Sequence, residues 1–244
     1  MATTTRLGVD TGGTFTDIVS VDSSGSLTLT KVPSSKPGDP GGILEGIAAE
    51  LGDMREVQPF IHGTTMATNA LIEKHGARCA LIATDGFRDL LEIRRANRPR
   101  EGMLDIAWDA PPPLIPRRFR FTVRERLNHR GEVLVPLEEA DVAAVLDRCS
   151  ANDIEAVAIC LLNSFKNPVH EQRIGDLVAE QLPDAFVTMS HELIPVVREF
   201  ERTATTVANV FVGPQMQSYL DGLGTGCAEL GLDSDLLVMQ SHGG

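Results

Sequence analysis

The stretch Gly8-Val9-Asp10-Thr11-Gly12-Gly13-Thr14-Phe15-Thr16-Asp17 decides the reading of this chain. An acid ends an apolar strand, two glycines make the turn, threonines flank it, and the β-rich run Phe15–Val21 follows. Glycine reaches positive φ without strain and lets the backbone approach an anion closely. Consecutive N–H groups in such a turn form an anion-binding nest. Thr11, Thr14 and Thr16 add neutral hydroxyl donors. Asp10 repels a bare phosphate, so it suits a phosphate site only with a divalent cation or a water between them. Mg²⁺ coordinated through water is the natural choice. Taken alone, the same stretch also reads as an ordinary β-hairpin turn. It is not a P-loop, because no G-x-x-x-x-G-K-[ST] run exists. Nor is a dinucleotide fingerprint present: Gly222-Leu223-Gly224-Thr225-Gly226 has the wrong spacing and follows a helix.

Outward from this turn, Leu27–Val32 alternates with period two and predicts a third strand, and Pro33–Gly42 is a loop. Ile43, Leu44, Ile47, Ala48 and Leu51 fall at helical spacing. Phe60-Ile61 reads as a short strand ending at His62-Gly63, after which Thr64 or Thr65 caps a helix through Glu73. The set His62-Gly63-Thr64-Thr65-Met66-Ala67-Thr68-Asn69 is the second chemical feature. A helix N-terminus carries unsatisfied N–H groups and suits a carboxylate, phosphate or oxyanion. Plain capping explains one threonine of the set, and His62 is equally read as a structural histidine.

Residues 94–118 are basic and proline-rich and read as an irregular arm. Arg94-Arg95-Ala96-Asn97-Arg98-Pro99-Arg100 is either an anion clamp or a solvated loop or subunit contact. Beyond the strands Arg120–Leu127 and Glu132–Leu134, helix and strand alternate: Leu137–Cys149, Ala156–Leu162, Asn167–Gln181, Ala185–Met189. That alternation predicts βαβ units. Val197–Val212 and Pro214–Leu230 read as two helices and Leu236–Met239 as a last strand. In Arg198-Glu199-Phe200-Glu201-Arg202-Thr203, Arg198 and Arg202 share a helix face, for which surface ion pairs are the usual outcome. The expected subdivision is 1–93 as a hairpin-led phosphate-binding subdomain, 94–135 as an arm, 136–239 as an α/β subdomain and 240–244 as a link cut in mid-loop.

An apolar fraction of 42% against 23% charged residues supports a buried core. The net charge of −12 argues against general nucleic-acid binding. No apolar run approaches the roughly 20 residues that span a bilayer. Cys79, Cys149, Cys160 and Cys227 form no C-x-x-C pair and are expected to be buried thiols in a cytoplasmic protein. No Cys/His metal cluster and no serine-nucleophile signature is present.

Taken together, Gly8–Asp17, His62–Leu71, Gly86–Pro99, Glu199–Thr203 and Met239–Gly244 resemble the N-terminal part of the hydantoinase A/5-oxoprolinase family. The resemblance runs in order over essentially the whole chain. Two positions depart from the family pattern: His242 stands for the usual Asn or Asp, and Arg94 for a common glycine. The resemblance implies an α/β fold, the first half of an actin-like ATPase with a mixed sheet and helices on both faces. It implies ATP and Mg²⁺ as cofactors, with Asp10 holding the metal-bound water and acting catalytically with His62. Thr11, Gly12, Gly13, Thr14, Thr16 and Asp17 would bind the nucleotide phosphates. Gly63, Thr64, Thr65, Asn69, Arg95, Arg98, Glu199 and Arg202 would meet substrate. Family members are much longer, so a second half is expected beyond Gly244. The implied activity is ATP-dependent hydrolysis of a cyclic amide, activated by phosphorylation, together with a hydantoinase B-type subunit or domain. The alternatives are an acetone or acetophenone carboxylase subunit, acting on a ketone, and a non-catalytic assembly fragment. Self-association as a homo-oligomer through an exposed sheet edge is a further expectation.

Overall fold

A computed structural model of the chain describes residues 4–36, 38–96, 98 and 100–240. The motif residues Asn97, Pro99 and Ser241–Gly244, His242 among them, lie outside the described residues. In chain order the strands and helices begin with β1 (Thr5–Thr11), β2 (Phe15–Val21), β3 (Leu27–Pro33), α1 (Gly41–Leu51), β4 (Val57–Thr64) and α2 (Met66–Glu73). There follow β5 (Cys79–Thr84), α3 (Leu90–Ile93), β6 (Arg120–Val123), β7 (Arg126–Leu127), β8 (Val133–Val135) and α4 (Glu139–Ser150). The chain continues through β9 (Ala156–Cys160), α5 (Val169–Gln181), β10 (Phe186–Met189), α6 (Ser190–Leu193), α7 (Glu199–Glu229) and β11 (Leu236–Val238).

These elements form two compact units, residues 1–75 with 215–244 and residues 76–214. The cuts fall after His75 and Pro214, not at the 93/94 and 135/136 boundaries read from composition. The reason is β5, whose residues are all buried and which pairs with β6 and β9 of the second unit.

The first unit carries a five-stranded mixed sheet in the order β11-β4-β1-β2-β3. β1, β2 and β3 are an antiparallel meander, while β4 pairs parallel to β1 and β11 parallel to β4. Alternation explains the burial: Leu7, Val9 and Ile18 point into a core with Ile43, Ile47, Met54, Phe60 and Leu223. β3 is an edge strand whose Leu27 and Leu29 are exposed.

The second unit carries an all-parallel sheet in the order β10-β9-β5-β6. β5 and β9 are buried along their whole length, which is why they read as unbroken apolar runs. The expected strand Arg120–Leu127 is split. β6 ends at Val123, β7 pairs with β8 in a separate ribbon, and Glu125 lies buried between them. Among the described residues of the stretch 94–118 there is no strand, and short 3₁₀ turns lie at Arg100–Gly102 and Arg117–Phe119.

The two helices expected around Gly213-Pro214 are one, α7, with Pro214 inside it. Proline removes the N–H that would bond the carbonyl four residues back. That carbonyl belongs to Val210, and the Cys79 thiol lies 3.4 Å from it while also 3.1 Å from the Ala77 carbonyl. The next carbonyl, that of Phe211, accepts the Ala77 N–H at 2.9 Å. The lead-in to β5 therefore satisfies the helix where proline cannot.

Candidate functional site

The residues expected to cradle a phosphate come together because three strands end on one side. β1 and β2 set Thr11 opposite Thr16, and the parallel β1/β4 pairing sets Thr11 opposite Thr64 and Asp10 opposite Gly63. The Gly12 N–H closes the turn by donating to the Phe15 carbonyl at 3.0 Å. A Cβ on Gly12 would stand only 3.2 Å from that carbonyl oxygen, so the tight turn favours glycine. The Ser34 hydroxyl donates to the Gly12 carbonyl at 2.9 Å and lies 3.0 Å from the buried Thr16 hydroxyl. On the α2 side, the Met66 N–H donates to Thr64 Oγ1 at 3.1 Å, and Asn69 Nδ2 donates to Thr65 Oγ1 at 3.2 Å. Thr64 thus serves the helix start, while Thr65 tethers Asn69.

A cleft of about 140 Å³ opens here, lined by Thr11, Gly12, Gly13 and Thr16 from the hairpin and by Thr64, Thr65 and Asn69 from the start of α2. It is smaller than the roughly 300–1,000 Å³ of sites that enclose a whole small-molecule ligand. Its size suits a phosphate group rather than a complete nucleotide. Ser34, Ser35, Lys36, Asp39 and Tyr219 are among the other residues of the lining, and none of these five was singled out from the sequence. A signal existed for the first four. In an antiparallel meander, β3 must end on the side where β1 ends, so the loop after Pro33 returns to the cradle.

Thr14 and Asp17 do not line the cleft. Asp17 forms an ion pair with Lys31 on the neighbouring strand at 2.9 Å. Asp10 is exposed beside the cleft and makes no side-chain hydrogen bond or ion pair among the described residues. Its carboxylate lies over Gly63, where a Cβ would stand 3.0 Å from Oδ1. One free carboxylate beside hydroxyls fits Mg²⁺, which keeps several waters and draws its other ligands from substrate phosphates.

His62 is fully buried and does not reach the cleft. Its Nε2 lies 2.8 Å from the Tyr219 hydroxyl. Burial pushes the imidazole below its ordinary range, against the opposing pull of the Val9 carbonyl and the Asp10 carboxylate. Burial likewise raises the Tyr219 phenol, with the Thr11 hydroxyl acting the other way.

In the second unit Arg95 pairs with Glu201, and Arg98 is exposed and donates to the Asp105 carbonyl at 3.3 Å. Arg202 is not on the surface as expected but fully buried. Its guanidinium pairs with Glu199 and bonds Ser164, Ser190 at 3.3 Å and the Leu161 carbonyl at 2.7 Å. Arg198 precedes α7 with a φ of 85°, so it shares no helix face with Arg202. Beside this group the buried Glu171 accepts from Ser190 at 2.6 Å, the Leu161 N–H at 2.8 Å and His191 Nδ1 at 2.7 Å. Burial works to raise the Glu171 carboxyl, but these hydrogen bonds prevail and hold it below its ordinary range. Glu125 and His170 form a second buried acid–histidine pair at 2.8 Å. All four cysteines are free and buried, as expected. Among the described residues no cluster of three or more metal-ligating side chains occurs, and no helix is long and apolar enough to cross a membrane.

Comparison with known proteins bears on this geometry. The family described as the hydantoinase/oxoprolinase N-terminal region matches residues 6–182. The alpha subunit of caprolactamase from Pseudomonas jessenii is 38% identical over 98% of this chain and 36% of its own length. The acetophenone carboxylase gamma subunit of Aromatoleum aromaticum is 31% identical over 98% of this chain and 35% of its own. The crystal structure of the ATP-dependent caprolactamase superposes with a TM-score of 0.87, covering 98% of this chain and 36% of that one. The nucleotide-free acetone carboxylase structure gives 0.88 at 28% identity, covering 100% and 37%. The chain therefore spans little more than a third of these relatives, several of which are named as subunits. The likenesses bear out the α/β fold of the actin-like ATPase type. With the family's description matched over most of its length, the chain belongs to the hydantoinase/oxoprolinase N-terminal family.

Proposed function

We propose that this chain is the phosphate-binding portion of an ATP-dependent cyclic-amide hydrolase, working with a partner subunit or domain. The observation that carries the reading is the cleft in which Thr11, Gly12, Gly13 and Thr16 meet Thr64, Thr65 and Asn69. The Gly13 N–H and hydroxyls on one side and a helix start on the other are what an anionic phosphoryl group requires. The higher identity to caprolactamase than to the ketone carboxylases supports a cyclic amide as substrate.

An amide is a poor electrophile. Moving the γ-phosphoryl group of ATP to the amide oxygen makes that oxygen a leaving group for attack by water. In such chemistry the protein mostly positions groups and stabilises charge. The Gly12-Gly13 turn and the hydroxyls of Thr11 and Thr16 would hold the phosphate oxygens. Gly63, Thr64, Thr65 and Asn69 would face the phosphoryl acceptor. Asp10 would hold the hydrated Mg²⁺, which when bound offsets charge on the phosphates. Arg95 and Arg98 are exposed in the second unit, where they are held by Glu201 and the Asp105 carbonyl. Arg202, already engaged by Glu199, Ser164, Ser190 and the Leu161 carbonyl, holds loops instead.

Calorimetric titration of Mg·ATP into the chain, with Asp10→Ala as control, tests the reading. Binding tighter than about 100 μM that is lost in the variant supports it; equal binding by both removes Asp10 from the site. In the full-length enzyme, ATP turnover that needs a cyclic amide supports a hydrolase. Turnover that needs ketone and bicarbonate identifies a carboxylase.

A further inference from the structure

Lys36 lines the cleft from the loop between β3 and α1, outside both of the motifs that meet there. Hydrogen bonds pin that loop on either side of the lysine. The Ser34 N–H donates to the Thr14 carbonyl at 3.0 Å, and the Ser34 hydroxyl donates to the Gly12 carbonyl at 2.9 Å. Ser35 Oγ accepts the Gly42 N–H at 2.7 Å, and the Lys36 carbonyl accepts the Asp39 N–H at 3.0 Å. The first two bonds tie the loop to the hairpin turn, and the next two fold it back on the start of α1. The backbone of Lys36 is thereby held at the cleft while the residue stays exposed.

The charged residues of the lining differ in what engages them. Asp39 Oδ1 accepts the Gly41 N–H at 2.9 Å, and Glu73 lies 3.5 Å from His75 Nδ1. Lys36 makes no ion pair and no side-chain hydrogen bond among the described residues, and no other lysine or arginine among them lines the cleft. The sheet order also separates it from Asp10. β3 lies beyond β2 on one side of β1, whereas Asp10 lies over Gly63 of β4 on the other. A phosphate in the cleft would therefore have the Asp10 carboxylate and its hydrated cation toward one side and an unengaged ammonium toward the other. Hydroxyls are neutral and offset none of the formal charge of a phosphate. A lysine ammonium does so as a point charge, and its flexible stem adapts to the oxygen it meets.

We propose that Lys36 is a phosphate-binding residue, the protein's own cation at the cleft, pairing with phosphate oxygens on the side away from Asp10. The inference rests on the proposed phosphate site and adds to it a charge that neither motif carries.

Inorganic tripolyphosphate with Mg²⁺ is titrated into the wild-type chain, Lys36→Met, Lys36→Arg and Lys166→Met. Lys166 is an exposed lysine of the second unit, so its variant removes the same charge far from the motifs in sequence. At low salt, affinity is expected to fall about 5-fold in Lys36→Met, the effect of one close charge pair in water. Lys36→Arg and Lys166→Met should stay within about 2-fold of wild type, with all thermal midpoints nearly equal. The loss in Lys36→Met should shrink in about 1 M salt, where screening acts within roughly 3 Å. Wild-type affinity in Lys36→Met, an equal loss in Lys166→Met, or an equal loss in Lys36→Arg overturns the inference and leaves the phosphate site standing. No binding of tripolyphosphate by the wild-type chain overturns the phosphate site and this inference with it.

Discussion

The carboxylate of Asp10 packs so closely over Gly63 of the neighbouring strand that a Cβ at position 63 would stand 3.0 Å from Oδ1. The two residues are register partners in the parallel β1/β4 ladder. Glycine at 63 therefore leaves the acid the space it occupies beside the cleft. Asp10 is exposed, so Gly63→Ala would turn the carboxylate aside at little cost to the fold. The expected result is Mg·ATP affinity weakened about 3- to 10-fold with a thermal midpoint within about 2 °C of wild type. Unchanged affinity would show that the carboxylate's position over Gly63 is irrelevant to the ligand.

Acid sensitivity should arrive in two windows. His62 has a folded pKa below its unfolded value because burial disfavours the charged ring. Its contribution is present above the unfolded value of about 6.5 and is lost as pH falls through that value toward the folded one. Glu171 also has a depressed folded pKa, since its hydrogen bonds outweigh burial. Its contribution is present above about 4.3 and is lost as pH falls further, through the folded value. Thermal midpoints measured from pH 8 to pH 3 should therefore decline first below about 6.5 and again below about 4.3. His62→Gln should flatten the first decline and Glu171→Gln the second. A decline that survives both substitutions would assign the acid sensitivity to other groups.

Arg202 is the main cation of a closed polar group, not a surface partner. Removing it leaves Glu199, Ser164, Ser190 and the Leu161 carbonyl short of donors. Breaking a buried pair from one side costs about 3–5 kcal/mol. Arg202→Met should lose that much in urea unfolding, and Arg202→Lys should recover only part, because an ammonium lacks the planar fork of donors. A loss under about 1 kcal/mol would mean that the network contributes little to stability.

Residues close in sequence were legible where local chemistry is specific. The hairpin turn and the His-Gly-Thr-Thr helix start both carry glycine and hydroxyls in patterns that few other structures demand. The parallel pairing that sets Thr11 beside Thr64 follows once both strands are placed. Lys36 and Ser34 were hidden in a loop whose composition says only that it turns. Tyr219 was invisible because its meaning lies in a partner 157 positions away. Arg202 misled for a related reason: charge at helical spacing describes one helix face but not what packs on it. The long helix misled through Pro214, whose consequence depends on whether a neighbouring segment satisfies the carbonyl it frees.

That last point makes Cys79 informative. Its thiol faces both the Ala77 and Val210 carbonyls, the second being the one that Pro214 leaves without a backbone donor. Burial pushes the thiol pKa up to about 12, and those of Cys149, Cys160 and Cys227 to about 11. At pH 8 the thiolate fraction is negligible, so a disulfide reagent should label none of the four in the folded chain and all four after unfolding. Labelling of Cys79 alone under native conditions would report local opening where β5 meets α7. Cys79→Ala removes both the thiol and a small buried volume, for which about 1–2 kcal/mol is expected. Cys79→Ser restores a donor and should regain part of that loss. If serine and alanine destabilise equally, the sulfur fills space and the helix passes Pro214 without its help.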